Sequence, residues 1–351
     1  MRVLYHFPHY KTTIYGYRTI VNGFKNAFED MGHEFVIYTA DDNLKDLLYK
    51  FQPNIFMTQT HPLYRRYLDL KLLKIYRNKG LKVFAKIDFW KTTLSKTRLN
   101  EAKGLGEDKK LISLIKNGEM ADYFYHVVEQ GDPRMDGFEK ETGYKFHTIP
   151  LAADKIVLEN SRISRRFQTD ISFIGTNLPD KKEYFKQNIF PLLDKYKYNF
   201  YGQDWTFQDK ALGFIQRGGQ YFNIPYLRSI QKPKLSLNDE GNIYASSTIS
   251  INVHEEYQRR FGGDCNERTF KIPMARGFEI TDNVACIRKY FKVGQDIIVA
   301  DNKDDWKEKI EYFMKNKENR IKIIESGRKK VLSDHTYHNR VNVILEIITK
   351  S

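Results

Sequence analysis

The sequence contains 351 residues, of which 41% are hydrophobic, and it carries a formal net charge of +14. Because single hydrophobic cores rarely grow past roughly 250 to 300 residues, this length predicts two compact domains. No stretch reaches the roughly 18 uninterrupted apolar residues that a membrane span needs, and the first ten residues lack the blocks of a signal peptide. We therefore expect a cytoplasmic protein without a membrane span.

The positive charge suits nucleic acid, the anionic face of a membrane or a phosphorylated substrate. The excess of Lys and Arg is spread over both halves of the chain, which is more typical of a solvated surface than of a DNA-binding arm. Peripheral contact of the protein with an anionic surface is therefore kept as an alternative.

The only cysteines of the sequence are Cys265 and Cys286. Two cysteines with no Cys/His cluster around them indicate neither a disulfide framework nor a structural zinc site. Both cysteines are therefore expected to be packing residues.

The first half of the chain alternates between short apolar runs and segments with apolar residues at helical spacing. Strands separated by helices predict a mostly parallel sheet covered on both faces. The predicted strands are residues 2–7, 34–38, 55–58, 82–87, 123–128 and 145–149. The predicted helices are residues 17–31, 44–51, 67–78 and 109–117.

The pattern restarts after a polar stretch at residues 159–169, which indicates a second domain. Residues 202–237 are rich in Gly and aromatic residues and are expected to be less regular. The predicted strands are residues 170–174, 198–201, 247–253, 278–281 and 297–299. The predicted helices are residues 182–196, 269–275, 304–315 and 320–332.

This organisation predicts an α/β protein with two doubly wound halves. We assign residues 1–150 to an N-terminal domain and residues 151–335 to a C-terminal domain. Residues 336–351 are expected to form a helix that packs back towards the first domain. Ligands of such sheets bind outside the carboxyl ends of the strands, which predicts a site in the cleft between the halves.

The most informative stretch is a strand that delivers a polar loop to the start of a helix, from residue 249 to residue 273. The first turn of a helix offers unpaired N–H groups and a partial positive charge, which suits a diphosphate. Arg260, Arg268 and Lys271 add full positive charges there. Such a cradle could stabilise a nucleoside diphosphate as it leaves.

The run RTFKIPMARGFEITD at residues 268–282 resembles a segment of the CgeB-like, group 1 type glycosyltransferases. The strand and turn DISFIGTN at residues 170–177, with the later NFYGQDW, resemble that family's entry into its donor domain. SSTISINVH at residues 246–254 is similar to the strand before its donor loop, and residues 293–341 are similar to its closing helices. The resemblance covers roughly residues 170–345 and implies the GT-B fold, in which two Rossmann-like domains with parallel sheets face each other across a cleft.

The resemblance also implies that the C-terminal domain binds a nucleotide-sugar, with a UDP-sugar favoured, and that the N-terminal domain presents the acceptor. Arg268 would lie near the diphosphate, and glycines at the sheet ends would let the backbone approach the ligand closely. The donor-binding candidates are Gly175, Thr176, Gly202, His254, Arg260, Asp264, Asn266, Glu267, Arg268 and Lys271.

One departure from the family concerns its acidic residues. Related retaining enzymes hold the donor ribose with a Glu at the position matched by Lys271, and they carry another acid at the position matched by Gly263. A Lys cannot accept hydrogen bonds from ribose hydroxyls, so Lys271 is expected to bind phosphate or form a solvated salt bridge. Asp264 and Glu267 are the nearest acids that could take over the contact with the ribose or the sugar.

Acceptor chemistry needs a base that takes the proton of the attacking hydroxyl, placed where a strand ends at the site. Asp88 follows the strand at residues 82–87 and is our first candidate. The alternative for Asp88 is a cap of the following turn. His61 is the second candidate, and the histidines at the end of the first strand, His6 and His9, are a third. The expected acceptor or cleft residues are His9, Tyr15, Gly16 and Trp90.

No Asp-x-Asp motif stands at a strand end, so neither a metal nor another cofactor is expected beyond the nucleotide-sugar co-substrate. The sequence thus predicts transfer of a hexosyl or pentosyl group to a hydroxyl of a glycan, a protein or a modified DNA base. The alternative is a non-catalytic protein with a duplicated Rossmann-like fold that binds a nucleotide-sugar or nucleic acid. The missing acids at Gly263 and Lys271 favour this alternative.

Overall fold

The computed structural model of the chain describes residues 1–14, 16–91 and 104–350. The described chain divides into two compact units. The first contains Met1–Pro150, Gln220–Ile224 and the residues from Val341 onward, and the second contains Leu151–Gly219 and Pro225–Arg340. Each unit has its own parallel β-sheet.

The sheet of the first unit has six parallel strands in the order β2-β1-β3-β4-β5-β6. The strand β3 is buried at each of its positions, as expected for a parallel strand covered on both faces. The chain leaves β1 towards β2 on one side and returns to β3 on the other, so the topological switch point lies between β1 and β3. The strands are β1 (Arg2–His6), β2 (Glu34–Tyr38), β3 (Ile55–Gln59), β4 (Lys82–Lys86), β5 (Tyr123–His126) and β6 (Phe146–Thr148).

Helix starts in the first unit are set by short polar side chains that accept hydrogen bonds from backbone N–H groups. Asn43, Asp69 and Asp108 each cap a helix in this way. The helices are α1 (Tyr17–Asp30), α2 (Leu44–Phe51), α3 (Pro62–Arg65), α4 (Leu70–Arg77), α5 (Lys109–Lys116) and α6 (Phe138–Thr142).

The sheet of the second unit has five parallel strands in the order β11-β10-β9-β7-β8. Its switch point lies between β7 and β9, because the chain runs from β7 to β8 on one side and then to β9 on the other. The strands are β7 (Thr169–Ile174), β8 (Tyr198–Tyr201), β9 (Ser247–Asn252), β10 (Glu279–Asp282) and β11 (Ile298–Ala300).

Ten helices lie within residues 151–349, and most of the last one belongs to the first unit. The two cysteines lie in one of its cores as free, buried thiols, with the Cys265 and Cys286 sulfur atoms 2.7 Å apart. The helices are α7 (Lys155–Leu158), α8 (Pro179–Asn188), α9 (Phe207–Tyr221), α10 (Leu237–Ser246), α11 (Glu256–Phe261), α12 (Arg268–Met274), α13 (Ile287–Tyr290), α14 (Lys303–Lys315), α15 (Lys317–Asp334) and α16 (Tyr337–Thr349).

The structure confirms the alternation of strands and helices in both halves, and most element bounds lie within one or two residues of those expected. The main correction is at residues 202–237, which were expected to be less regular but contain the 15-residue helix α9. The helix carries glycines at 213, 218 and 219, and its apolar residues face outward, so the usual signals of a buried helix are missing. None of the helices within residues 1–14, 16–91 and 104–350 combines the length and apolar character needed to cross a bilayer.

Candidate functional site

The side chain of Arg268 joins the two strands at the switch point of the second sheet. Its Nη1 atom donates to the carbonyl oxygen of Ile174 at the end of β7 (3.2 Å), and its Nη2 atom donates to Val253 just after β9 (2.9 Å). Its Nε atom donates to Oδ1 of Asn252 (3.0 Å). A guanidinium has five N–H groups, so two remain for which the described residues provide no acceptor. Arg268 is partly exposed and holds a positive charge where doubly wound sheets bind ligands.

Gly175 and Gly202 bring the ends of β7 and β8 into close contact beside this arginine. A Cβ atom on Gly202, whose φ is +119°, would lie 2.4 Å from the carbonyl oxygen of Gly175. A Cβ atom on Gly175 would lie 3.0 Å from Nη1 of Arg268. Since no larger residue fits either position without a shift, the backbone itself forms the floor of the site there. Thr176 follows Gly175 and is partly exposed.

A buried polar cluster lies directly beneath Arg268. The amide of Asn252 donates to Thr269 Oγ1 (3.1 Å) and Glu279 Oε1 (2.8 Å), and its oxygen accepts from Asn266 Nδ2 (2.9 Å) as well as from Arg268. Burial raises the pKa of Glu279 to about 8 despite the Asn252 hydrogen bond and the nearby Arg268 charge. Glu279 is therefore mostly protonated at neutral pH. The sequence pattern does not predict Asn252 or Glu279 as site residues, although a polar residue within a buried strand is a usable signal.

His254 is fully buried and does not present its ring to a ligand, which corrects its expected role in donor binding. Its Nδ1 atom lies 2.6 Å from Asp282 Oδ1, and its Nε2 atom lies 3.1 Å from Thr269 Oγ1. Burial opposes ionisation of Asp282, but His254 and the Arg259 guanidinium outweigh burial and lower its pKa. The His254 side chain thus connects the end of β9 to Asp282 of β10 and Thr269 of α12.

Lys271 is also buried, and of its two expected roles the structure shows the salt bridge, which lies inside the protein instead of at a solvated surface. Its Nζ atom lies 3.3 Å from carboxylate oxygens of both Glu240 and Glu267. Burial alone would lower the pKa of Lys271, but these two carboxylates outweigh it and raise the pKa. The lysine therefore serves as the cation of an internal ion-pair cluster.

The two acids expected to replace the missing carboxylates are engaged inside the protein. Glu267 accepts a hydrogen bond from the hydroxyl of Tyr337 (2.9 Å) and pairs with Lys271. Asp264 is buried and accepts from Gln258 Nε2 (2.8 Å). Both carboxylates are thus held by protein groups rather than presented at the surface.

Two further donor candidates differ in their surroundings. Arg260 is exposed on α11, where its guanidinium lies over the ring of Phe261 at 5.3 Å. Asn266 lies in the cluster beneath Arg268, and its Oδ1 atom is buried without a hydrogen-bond partner among the described residues. Of the donor candidates, Arg268, Asn266, Gly175 and Gly202 are the ones that the structure brings together.

In the first unit, polar side chains gather at the carboxyl edge next to the switch point. His6 ends β1 and its Nδ1 atom lies 3.0 Å from Thr58 Oγ1 of β3. Burial lowers the pKa of His6 to about 3, with a smaller contribution from His9, so His6 is neutral. Asp88 follows β4, its backbone N–H donates to Thr60 Oγ1 (3.4 Å), and its Oδ2 atom has no hydrogen-bond partner among the described residues.

The remaining candidates of the first unit have other surroundings. His61 is exposed and caps α3, since its Nδ1 atom accepts from the N–H of Leu63 (3.1 Å). His9 is buried with its ring edge-on to Tyr67. Gly16 is exposed before α1, and Tyr15 lies outside the described residues.

Trp90 was expected near the acceptor, but only 1% of it is exposed. Its indole donates to Glu141 (3.0 Å) and packs edge-on against Phe138. The ring thus belongs to the core of the first unit and is not available to stack on a sugar.

Within the residues that the structure describes, no group of three or more His, Cys, Asp or Glu side chains is placed to hold a metal ion.

Residues 185–346 match the model of a protein family described as glycosyl transferase-like. No curated protein matches the chain by sequence.

Solved structures of glycosyltransferases resemble the whole chain. An α-glucosyltransferase in complex with UDP has a TM-score of 0.65 and 11% identity, with 99% of this chain and 100% of that chain covered. Sucrose-phosphate synthase from Thermosynechococcus elongatus has a TM-score of 0.62 and 9% identity, with 99% and 98% covered. An α-glucosyltransferase in complex with UDP-glucose and DNA containing an abasic site has a TM-score of 0.60 and 12% identity, with 99% of both chains covered.

These likenesses show that the chain has the GT-B fold, with one Rossmann-like unit of six strands and one of five.

Proposed function

We propose that this protein transfers a sugar from a UDP-sugar to an acceptor hydroxyl, with the donor held at the carboxyl edge of the second sheet. The observation that carries the proposal is the position of Arg268. Its guanidinium bridges β7 and β9 at the switch point and keeps two N–H groups without a described acceptor. The family match across residues 185–346 supports the same reaction class.

Arg268 would bind the donor diphosphate and stabilise it as the leaving group. A guanidinium is permanently charged and forms paired hydrogen bonds with phosphate oxygens, which a point charge such as Lys cannot reproduce. Negative charge grows on the diphosphate as the bond to the sugar breaks, so a fixed cation there lowers the barrier. This is the part that Mg²⁺ plays in other transferases.

Gly175 and Gly202 would form the surface on which the diphosphate rests. Because neither position tolerates a Cβ atom without a shift, exposed backbone can approach the ligand more closely than a side chain would allow. Thr176 and Asn266 are the polar side chains that would complete the donor contacts.

On the acceptor side, we propose Asp88 as the base that takes the proton of the attacking hydroxyl. It follows a strand at the carboxyl edge of the first sheet, and its Oδ2 atom is without a described hydrogen-bond partner.

The subfamily and the cellular location that we propose follow from the sequence resemblance. We propose that the chain is a CgeB-like member of the group 1 type and acts in the cytoplasm. A hexosyl group is favoured, because UDP-glucose is bound in one of the similar structures.

A modified DNA base is a specific candidate for the acceptor. One similar structure is that of an α-glucosyltransferase with bound DNA, and this chain has a net charge of +14. Binding to DNA would weaken steeply as salt rises, because each phosphate contact releases counterions. Binding that stays constant between low and high salt would leave a glycan or a protein as the acceptor.

The test is release of UDP from radiolabelled UDP-glucose and other UDP-sugars by the wild type, Arg268→Lys, Arg268→Ala and Arg276→Ala. We expect neither Arg268 variant to release UDP, since Lys keeps the positive charge but lacks the paired N–H donors of the guanidinium. Arg276 is exposed just past the opposite end of α12, so Arg276→Ala is the matched control and should keep release.

Thermal unfolding of each variant separates loss of the site from loss of the fold. A folded Arg268→Lys variant that releases UDP at the wild-type rate would overturn the proposal. Tight binding of UDP-sugar without release by the wild type would instead favour the non-catalytic binding protein.

A further inference from the structure

Helix α9 has the reverse of the usual polarity of a surface helix. Its inward side carries Asp209 and Gln216, which are 8% and 0% exposed. Its outward side carries Phe207, Phe214 and Ile215, which are 87%, 73% and 40% exposed. Surface helices of soluble domains bury their apolar face and expose the polar one.

The inward side of α9 is fixed by polar contacts, so the helix is held in this orientation. Gln216 donates to the carbonyl oxygen of Arg228 (2.8 Å), and Gln231 donates to the carbonyl oxygen of Asp209 (2.9 Å). The Asp209 carboxylate pairs with Lys234. Rotating α9 to hide its aromatic residues would break these bonds and bury charge.

The outward residues form one continuous stripe. Phe207, Ala211, Phe214 and Ile215 follow the spacing that places side chains on one helix face, and we call them the aromatic face. The residues Phe222 and Tyr226, which come after the helix, are also 70% and 83% exposed. Contiguous exposed apolar surface of this kind marks a binding surface.

The charges beside the aromatic face are positive. Lys210 and Arg217 are one heptad apart and flank it on one side, and Arg217 is exposed. The acidic side chains near them are Asp204, which interacts electrostatically with both, and Asp209, which pairs with Lys234; the two are only 6% and 8% exposed. The occupant of this surface should therefore combine apolar character with negative charge.

We propose that the aromatic face of α9 docks on an anionic lipid surface, with its rings among the acyl chains and Lys210 and Arg217 at the headgroups. This is the arrangement of amphipathic helices that lie in a membrane interface. The helix has 15 residues and would lie along the surface. This docking does not require the sugar transfer proposed above.

Two other occupants fit the surface less well. Phe207 and Phe214 are about 10 Å apart along the helix, farther than adjacent stacked bases, and Ala211 and Ile215 offer no ring to a base. A second copy of the chain would bring together two surfaces of the same charge on molecules of net charge +14.

The test is co-sedimentation of the full chain with vesicles of phosphatidylcholine alone or of phosphatidylcholine with phosphatidylserine. We expect the wild type to bind the vesicles with phosphatidylserine. Phe207→Ser and Phe214→Ser should each weaken binding by about tenfold, since each removes a ring that is buried in the interface. Tyr49→Ser is the matched control, because Tyr49 lies on α2 and is also 73% exposed.

Several results would overturn the inference. The first is absence of vesicle binding by the wild type, and the second is equal binding by Phe214→Ser and the wild type, which would indicate attraction by net charge alone. A wild type that dimerises through this face, shown by light scattering as a dimer that Phe214→Ser converts to a monomer, would assign the surface to a second copy. Loss of single-stranded DNA binding in Phe214→Ser with unchanged vesicle binding would assign it to nucleic acid. Circular dichroism melting of each variant verifies the fold.

Discussion

The ammonium group of Lys271 lies 3.3 Å from a carboxylate oxygen of Glu240, with only 8% and 14% of the two side chains exposed. Lys271 also pairs with Glu267 one helical turn away. The three side chains form a buried cluster at the position where the sequence resemblance implies a ribose-binding acid. The lysine is therefore matched by an acid from α10 that lies 31 residues away in the sequence.

We predict that Lys271→Glu, which introduces the acid that the sequence resemblance implies there, lowers the free energy of unfolding by roughly 3 to 5 kcal/mol. The change places three carboxylates together and leaves buried charge unpaired. Urea denaturation followed by circular dichroism measures the loss. The swapped pair Lys271→Glu with Glu240→Lys should recover part of the stability, and a pair as unstable as the single variant would contradict the assigned contact.

Glu279 predicts a pH dependence of stability. Burial raises its pKa from the usual 4.5 to about 8 in the folded protein, so the folded state holds a proton that the unfolded state releases. This contribution to stability is fully present below about pH 4.5 and is lost as the pH rises through 8. Glu279→Gln keeps the acceptor for Asn252 but does not titrate.

The variant Glu279→Gln should therefore gain stability relative to the wild type between pH 5 and pH 8, by up to roughly 4 kcal/mol. Urea unfolding of both proteins at several pH values measures the difference. A difference that is constant over this range would show that Glu279 is ionised in the fold.

A comparison of Gly202→Ala with Gly80→Ala separates the stability lost to steric overlap from the stability lost to backbone strain. Both glycines have a φ in the left-handed region, +119° and +101°, but a Cβ atom would meet Gly175 only at position 202. We expect Gly80→Ala to cost roughly 1 to 3 kcal/mol of unfolding free energy and Gly202→Ala to cost more. Urea denaturation compares them, and equal losses would argue against the close approach of β7 and β8.

Asp88→Asn should lower the rate of sugar transfer by about 10² to 10⁴, the usual contribution of a general base, while the dissociation constant of the donor stays the same. Single-turnover transfer and isothermal titration with UDP measure the two quantities. Asp136→Asn, an exposed change in the same unit, is the control. A parallel loss of donor affinity in Asp88→Asn would point away from a base.

Local pattern was enough to predict the fold, because apolar periodicity and turn residues repeat along both halves. The bounds of α2 and of strands β2 and β8 agree residue for residue with those expected from the sequence. Helix α9 was missed since its periodicity runs opposite to that of a buried helix.

The site was only partly predictable, for a physical reason that differs from residue to residue. Arg268 and the two glycines could be identified because helix starts and strand ends are visible in a sequence. The burial of Lys271 and His254 could not, since it depends on Glu240 and Asp282, whose approach is set by tertiary packing. Trp90 shows the same effect, because a tryptophan after a strand packs inward or outward according to partners such as Glu141.

The three hydrogen bonds of Arg268 constrain how this protein can diverge. Any mutation of this arginine would loosen the ends of β7 and β9 at the same time as it changed ligand affinity. New donor preferences would therefore have to arise through neighbours such as Thr176, whose replacement leaves the sheet intact. In a comparison of descendants of this protein, position 268 should be the slowest to vary and position 176 among the first.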